Sequence, residues 1–192
     1  MAVLIEHRSA CRILRKILIF CIAAAFPLFS GSGNLMAQSG NSKEYQVKAA
    51  FLYNFFQFVK WPPESFPQPQ TPLVIGIIGD DPFGGSLDQI VRGERVNNHP
   101  VVIQHYHAPE EIKACHVLFV CQSEGKRVKE LLGDLKGKNV LTVSDLDGFG
   151  RDGGIIRFVT ENNKIRFKIN AEAARAAHLT ISSKLLQAAE KN

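Results

Sequence analysis

The hydrophobic pattern between residues 70 and 145 consists of short apolar runs separated by short amphipathic segments. The runs are rich in β-branched residues and are typical of strands in a sheet that is covered on both faces. They are "PLVIGIIG" (72–79), "PVVIQHY" (100–106), "HVLFVC" (116–121) and "KNVLTVSD" (138–145). The segments between them favour helices or helical turns at 84–93, 109–115 and 123–137. This β-α-β-α-β-α-β order predicts an α/β fold, with a mainly parallel sheet and helices on both faces.

After residue 153 the pattern changes to two strands and two short helices. The segment "GGIIRFVTENNKIRFKIN" (153–170) contains two apolar runs joined by the turn-prone "ENN", which predicts an antiparallel β-hairpin. Its second run alternates, so that one face is apolar and the other cationic. The apolar side chains are Ile165, Phe167 and Ile169, and the cationic ones are Lys164, Arg166 and Lys168. We expect two short helices to follow, the first capped by Asn170 and the second beginning near Ser182.

Residues 44–60, "EYQVKAAFLYNFFQFVK", predict a helix that is apolar on most sides. Its polar positions fall on one stripe when residues are placed at steps of about 100°. The stripe contains Lys43, Gln46, Asn54, Gln57 and Lys60. These polar positions argue against a membrane span, and the prolines of "WPPESFPQPQTP" end the helix. The apolar part of this helix is wider than packing against one face of a sheet would bury. We therefore expect a neighbouring helix or a second chain to cover it, and we predict a self-association or partner surface.

Residues 1–37 have the pattern of an export signal that is cleaved near Ala37. The basic residues of its first part are Arg8, Arg12, Arg15 and Lys16. The apolar core that follows, residues 17–29, has a typical signal-peptide length and is too short for a comfortable membrane span. An uncleaved anchor is the alternative. We predict an exported protein without stable membrane insertion, whose single folded domain is residues 38–192.

Charge and cysteine content narrow the function further. The net charge of +5 comes largely from the predicted signal, so nothing indicates a basic face for nucleic acid. Two cysteines, Cys115 and Cys121, lie outside that segment. On a strand they would be roughly 20 Å apart at ~3.3 Å per residue, which is beyond disulfide reach. An internal bridge is not expected, and an intermolecular bond in an oxidising compartment stays open.

Few residues match a motif for catalysis or ligand binding. His105 and His107 would project from the same face of a strand, but no third ligand has a clean metal spacing. The sequence contains no G-x-S-x-G elbow, and "ISSKL" does not have the S-x-x-K spacing. "GDDPFGG" (79–85) follows a strand but lacks the glycine pattern and the lysine of phosphate loops. We predict no catalytic, cofactor-binding or metal site. A periplasmic small-molecule binding protein that uses the cleft at Gly79–Gly85 is the alternative function.

Several segments in combination resemble the YfiR family of exported regulators. The resemblance covers roughly residues 45–190 and depends on the order of the motifs more than on any one of them. The motifs are "KAAFLYNFFQFVKWP" (48–62), "CHVLFV" (115–120), "VLTVSD" with Phe149 and "GGIIRF" (140–158), and "NKIRFKINAEAARAAHLTISSKLLQAA" (163–189). The resemblance implies a periplasmic α/β domain without enzymatic activity. It also implies binding to the periplasmic sensor part of an inner-membrane diguanylate cyclase, which lowers cyclic di-GMP and, with it, biofilm and exopolysaccharide formation.

The family also implies properties that this chain shares only in part. Relatives dimerise and respond to the redox state of their disulfides, whereas two widely spaced cysteines cannot form two internal bridges. A homodimer remains open, and the residues that contact a cyclase are expected among large apolar side chains of the first helix, the loop after it and the late hairpin. They are Phe51, Phe55, Trp61, Phe66, Phe158, Phe167 and Ile169. Core packing is the competing explanation for each of these side chains.

Overall fold

A seven-stranded sheet with a parallel centre organises the protein in the computed structural model, which describes residues 35–189 and their side chains from residue 42. The strands are β1 (Val59–Lys60), β2 (Leu73–Ile78), β3 (Arg95–Val96), β4 (His99–Tyr106), β5 (Val117–Val120), β6 (Leu141–Ser144), β7 (Ile156–Glu161), β8 (Lys164–Ile169) and β9 (Thr180–Ile181). The order across the sheet is β3-β4-β2-β5-β6-β7-β8. Strands β4, β2, β5, β6 and β7 run parallel, and β3 and β8 are antiparallel edges. The predicted α/β fold with a mainly parallel sheet is confirmed.

The central strands lie where the continuous apolar runs predict them. All six residues of β2, and all four of β5 and of β6, are buried. Burial on both faces explains why these runs show no alternation of apolar and polar residues. The two-residue strand β3 was not predicted, because two residues carry too little periodicity to be recognised.

The predicted hairpin is confirmed as β7 and β8. Its register pairs Ile156 with Ile169 at one end and Glu161 with Lys164 at the other. Asn162 and Asn163 form the two-residue turn with φ values of 49° and 58°. Asparagine tolerates such positive φ values, and this turn matches the twist of the strands that it joins.

Five α-helices pack around the described sheet. They are α1 (Leu35–Phe55), α2 (Ser86–Val91), α3 (Val128–Asp134), α4 (Ala171–Ala176) and α5 (Ser183–Ala188). The caps of α4 and α5 are Asn170 and Ser182, as predicted, and each side chain accepts a backbone N–H three residues on. The prediction of one helix over 123–137 was wrong. That segment divides into a 3₁₀ turn at Gln122–Glu124 and α3, and the Ser123 hydroxyl accepts a hydrogen bond from the N–H of Asp80.

The first helix also has different bounds from those predicted, since it ends at Phe55 rather than at residue 60. Tight turns follow, in which the N–H groups of Phe56, Gln57 and Phe58 donate to carbonyls three residues earlier. The chain then enters β1, which pairs antiparallel with β9. This pairing connects segments that are far apart in sequence, so local periodicity could not reveal it.

Two hydrophobic cores lie on opposite faces of the sheet. The first is covered largely by α1 and contains Leu52, Phe55, Phe119 and Phe158. The second is covered by α3 and by the loop after β6. It includes Leu118, Val120, Leu131 and Phe149. Successive residues of β5 alternate between the two cores, as the pleat of a strand requires.

The predicted export signal falls almost entirely on residues 1–34, which lie outside the described part of the chain. Between residues 35 and 189, none of the helices combines the length and the apolar character that a membrane crossing requires. Of the described residues, 39–189 form one compact unit.

Candidate functional site

Helix α1 carries a buried lysine at the carboxyl end of the sheet. The side chain of Lys48 is only 3% exposed. Its Nζ atom lies 2.5 Å from Oδ2 of Asp145, which follows β6, and 2.6 Å from Oε1 of Glu44, one helical turn earlier. A buried charge is costly unless it is paired, so these two carboxylates are needed to hold Lys48 in place.

The carboxylate of Asp145 also accepts hydrogen bonds from two other side chains. The Tyr45 hydroxyl donates to Oδ2 over 2.8 Å, and Nε2 of Gln122 donates to Oδ1 over 2.6 Å. Burial and the hydrogen bond to Asp145 raise the pKa of Tyr45 above its usual range, so its hydroxyl remains a donor. Asp145 thus connects α1 with the segments that follow β5 and β6. The arrangement fixes the position of α1 on the sheet. It does not place a nucleophile beside a general base.

Sequence reasoning missed this network, although one signal for it was present. Lys48 is four residues after Glu44 and four before the buried Leu52, so it lies on the helix face that packs against the sheet. A lysine at such a position needs a buried anionic partner. Asp145 is 97 residues away in sequence, and only the topology brings it close.

Three of the predicted partner residues belong to the core. Phe55, Phe158 and Phe167 are 1%, 1% and 4% exposed. The rings of Phe158 and Phe167 lie 6.2 Å and 5.8 Å from that of Phe55, and 5.9 Å and 5.5 Å from that of Phe51. Burial leaves Phe55, Phe158 and Phe167 little surface to offer a partner, and they hold α1 against the hairpin.

The outer side of α1 and the edge strand β8 keep an accessible apolar surface. Val47 is 45% exposed, and Phe51 is half-buried beside it on an open groove of about 620 Å³. Ile165 and Ile169 on β8 are also half-buried and flank Phe167, which contacts Phe51. We call this set the helix–edge surface: Val47, Ala50, Phe51, Ile165 and Ile169. Polar residues border its groove at Lys43, Gln46 and Asn54.

The other two predicted partner residues, Trp61 and Phe66, pack around a buried histidine. The centroid of the His116 ring lies 5.8 Å from that of Trp61 and 5.3 Å from that of Phe66. Nε1 of Trp61 donates to the carbonyl of His116, and the Val74 N–H donates to its Nδ1 atom over 3.1 Å. Burial lowers the pKa of His116 to about 4. Trp61 and Phe66 are half-buried and therefore expose part of their rings while they close this cluster.

The residues considered for other chemistry do not assemble into a reactive site. His105 contacts Asp81 at 3.0 Å on the surface. Within residues 35–189, no group of three or more His, Cys, Asp and Glu side chains is positioned to hold a metal ion. Cys115 and Cys121 are free and buried, and burial raises the pKa of each thiol to about 12. Both are therefore poor nucleophiles.

Side chains of the protein itself occupy part of the cleft predicted at Gly79–Gly85. Phe83 is buried, with its ring 4.8 Å from that of Phe119 and 5.5 Å from that of Tyr45. The hydroxyl oxygen of Ser123 occupies the space beside Gly79 in which a Cβ atom would stand. This loop serves as a turn that closes the carboxyl end of β2.

Comparisons with known proteins give a family match and similar solved structures. A search of curated proteins found no relative of significant similarity. Among solved structures, a conserved domain protein from Vibrio cholerae is similar with a TM-score of 0.48 and 10% sequence identity. The match covers 76% of this chain and 58% of that one, so this chain spans less than two thirds of its length.

A family model provides the assignment. The model for YfiR/HmsC-like proteins matches residues 45–190, which include the second half of α1, the whole seven-stranded sheet and both C-terminal helices. The matched region has the same bounds as the region in which the sequence motifs resemble the family, so the match confirms that resemblance. The chain belongs to the YfiR/HmsC-like family.

Proposed function

We propose that this protein is an exported, non-enzymatic regulator that represses an inner-membrane diguanylate cyclase by binding its periplasmic sensor part. Family membership across residues 45–190 is the observation that carries the proposal. Repression would lower cyclic di-GMP and reduce biofilm and exopolysaccharide formation. The absence of an assembled reactive site among the described residues is compatible with a binding role.

The helix–edge surface is the contact region that we propose for the cyclase. Val47 and Leu186 are the two large apolar side chains that are clearly exposed among the described residues, and Val47 lies on this surface. The surface also contains Phe51 and the half-buried isoleucines of β8, so it offers a partner apolar side chains from both elements. Apolar patches with polar borders are typical of sites where proteins associate.

Repression requires that the regulator binds one conformation of the sensor more tightly than the other. A 100-fold shift in the sensor equilibrium corresponds to about 2.7 kcal/mol of differential binding free energy. One or two well-packed aromatic or aliphatic anchors supply this amount in many interfaces. Phe51 and Val47 together are thus sufficient in size for the role.

The two exposed apolar side chains provide a matched test. We expect Val47→Glu to abolish repression, measured as a rise in cellular cyclic di-GMP to the level of a deletion strain. Leu186→Glu introduces the same charge at a similarly exposed position, 41% against 45%, on α5 and outside the helix–edge surface. It should leave repression intact. If both variants repress equally well or equally poorly, the proposed surface is wrong. If the deletion strain has the same cyclic di-GMP level as the wild type, the proposed function is wrong.

The groove on α1 also allows self-association, which would cover the same residues. Light scattering of the purified protein at increasing concentration measures this directly. The alternative role as a small-molecule binding protein at Gly79–Gly85 receives no support from this loop, in which the largest side chain, Phe83, packs into the core.

A further inference from the structure

The hairpin presents an open cationic face on the side of the sheet opposite α1. Residues that are paired across β7 and β8 point to the same side. Arg157 is therefore beside Lys168, Val159 beside Arg166, and Glu161 beside Lys164. This face carries four basic side chains and one acidic side chain.

Arg157 and Lys168 are a like-charge pair at directly opposite positions. Such pairs destabilise a sheet, because the two side chains start only about 5 Å apart. Within the described residues, no carboxylate oxygen lies within 4.0 Å of the Lys168 ammonium, whereas Arg157 pairs with Asp147. The side chain of Asp147 is 95% exposed, so water screens this pairing strongly.

The guanidinium of Arg157 has an unused donor. Its side chain is 27% exposed, and its Nε atom is buried without a hydrogen-bond partner in the described chain. A buried donor of this kind is normally satisfied. An oxyanion that accepts from a guanidinium edge would satisfy it, since arginine binds carboxylate and phosphate oxygens through two parallel N–H groups.

A cavity of about 830 Å³ lies against these two side chains, between the loop after β6 and the hairpin. Three cations line it, Arg151, Arg157 and Lys168, and its single acidic lining residue is Asp147. The formal charge of the lining is therefore +2, which matches a dianion. Ile155 and Ala171 contribute the apolar part of the wall, which suits the organic remainder of a monoester.

We propose that this cavity binds a phosphate monoester, with Arg157 and Lys168 contacting the phosphate and Arg151 closing over it from the loop. The phosphate neutralises the like-charge pair, and one of its oxygens accepts a hydrogen bond from the unused Nε–H of Arg157. A soluble metabolite and the headgroup of a phosphatidic acid both present this chemistry. The inference does not rest on the proposed repressor function, because it is tested by binding alone.

The test is calorimetric titration of the purified exported protein with glycerol phosphate, the simplest soluble phosphate monoester. We expect saturable binding that Arg157→Gln and Lys168→Gln each weaken by about tenfold or more. Arg166→Gln removes the same charge from the same face of the hairpin but lies outside the cavity lining. It should change the affinity by less than about twofold.

A thermal-shift measurement separates lost binding from lost folding. Lys168→Gln relieves the repulsion, so it should raise the melting temperature of the unliganded protein while reducing the upward shift that glycerol phosphate gives the wild type. Binding to phosphatidic acid vesicles with the same variant pattern, without binding to glycerol phosphate, would assign the ligand to a lipid. Absence of binding in both arms, or an equal loss in Arg166→Gln, would overturn the proposal.

Discussion

The buried imidazole of His116 makes the stability of this protein sensitive to acid in a way that one substitution removes. The Val74 N–H donates to Nδ1, so neutral His116 carries its proton on Nε2. A second proton must enter at Nδ1, where it would face that N–H group. Protonation therefore breaks the contact with the start of β2 and places a charge among Trp61 and Phe66.

The size and sign of the effect follow from the pKa difference between the folded and unfolded states. The pKa of His116 falls from 6.5 to about 4 on burial, so the unfolded chain binds more protons between these values. The free energy of unfolding then rises with pH. The contribution is fully present above pH 6.5 and is lost as the pH falls toward 4. The expected loss is about 2 kcal/mol at pH 5 and about 3 kcal/mol at pH 4.

Urea unfolding of the wild type and of His116→Asn at pH 7 and pH 5 measures this loss. The asparagine Oδ1 atom can accept the Val74 N–H but does not titrate. Between the two pH values we expect this variant to lose about 2 kcal/mol less than the wild type. The exposed His107 provides a control, since His107→Asn should retain the full pH dependence. If His116→Asn loses as much stability as the wild type, the buried imidazole is not the acid-sensitive group.

Three further predictions concern the core. Lys48→Met and Asp145→Asn should each lower the free energy of unfolding by about 3 kcal/mol, because each change leaves a buried charge poorly paired. The double variant should lose less stability than the sum of the two single losses. If chemical denaturation shows that the two losses add, the proposed coupling is wrong. Gly76→Ala should cost about 1–3 kcal/mol, since its Cβ atom would meet three side chains at 2.6 to 2.9 Å. Gly133→Ala, a control in α3 with nothing within 4 Å of the new Cβ atom, should be neutral or stabilising in the same assay. Cys121 should react with a thiol reagent at pH 8 at least about 100-fold more slowly in the folded protein than in denaturant, and comparable rates would show that it is not buried.

The strands were predictable because their signal is local. The residues of β2, β5 and β6 are buried on both faces, so each leaves a continuous apolar run in the sequence. The hairpin was predictable because Asn162 and Asn163 provide the backbone conformation that its turn requires. In each case a few neighbouring residues decide the structure.

The remaining features depend on contacts between distant segments. The end of α1 is set by the pairing of β1 with β9, and the burial of Lys48 is set by Asp145 after β6. The apolar stripe of α1 predicted a covered helix, but it did not say which phenylalanines would be inside. Only the packing of α1 on the hairpin distinguishes the buried Phe55 from the half-buried Phe51.

A photo-crosslinking amino acid at position 47 of the full-length protein, in living cells, tests the central claim most directly. The account predicts a crosslinked product that contains an inner-membrane diguanylate cyclase with a periplasmic sensor, and it predicts none with the same probe at position 186. A crosslink from position 47 that contains only cytoplasmic proteins, or a cyclase captured equally from both positions, would contradict the account.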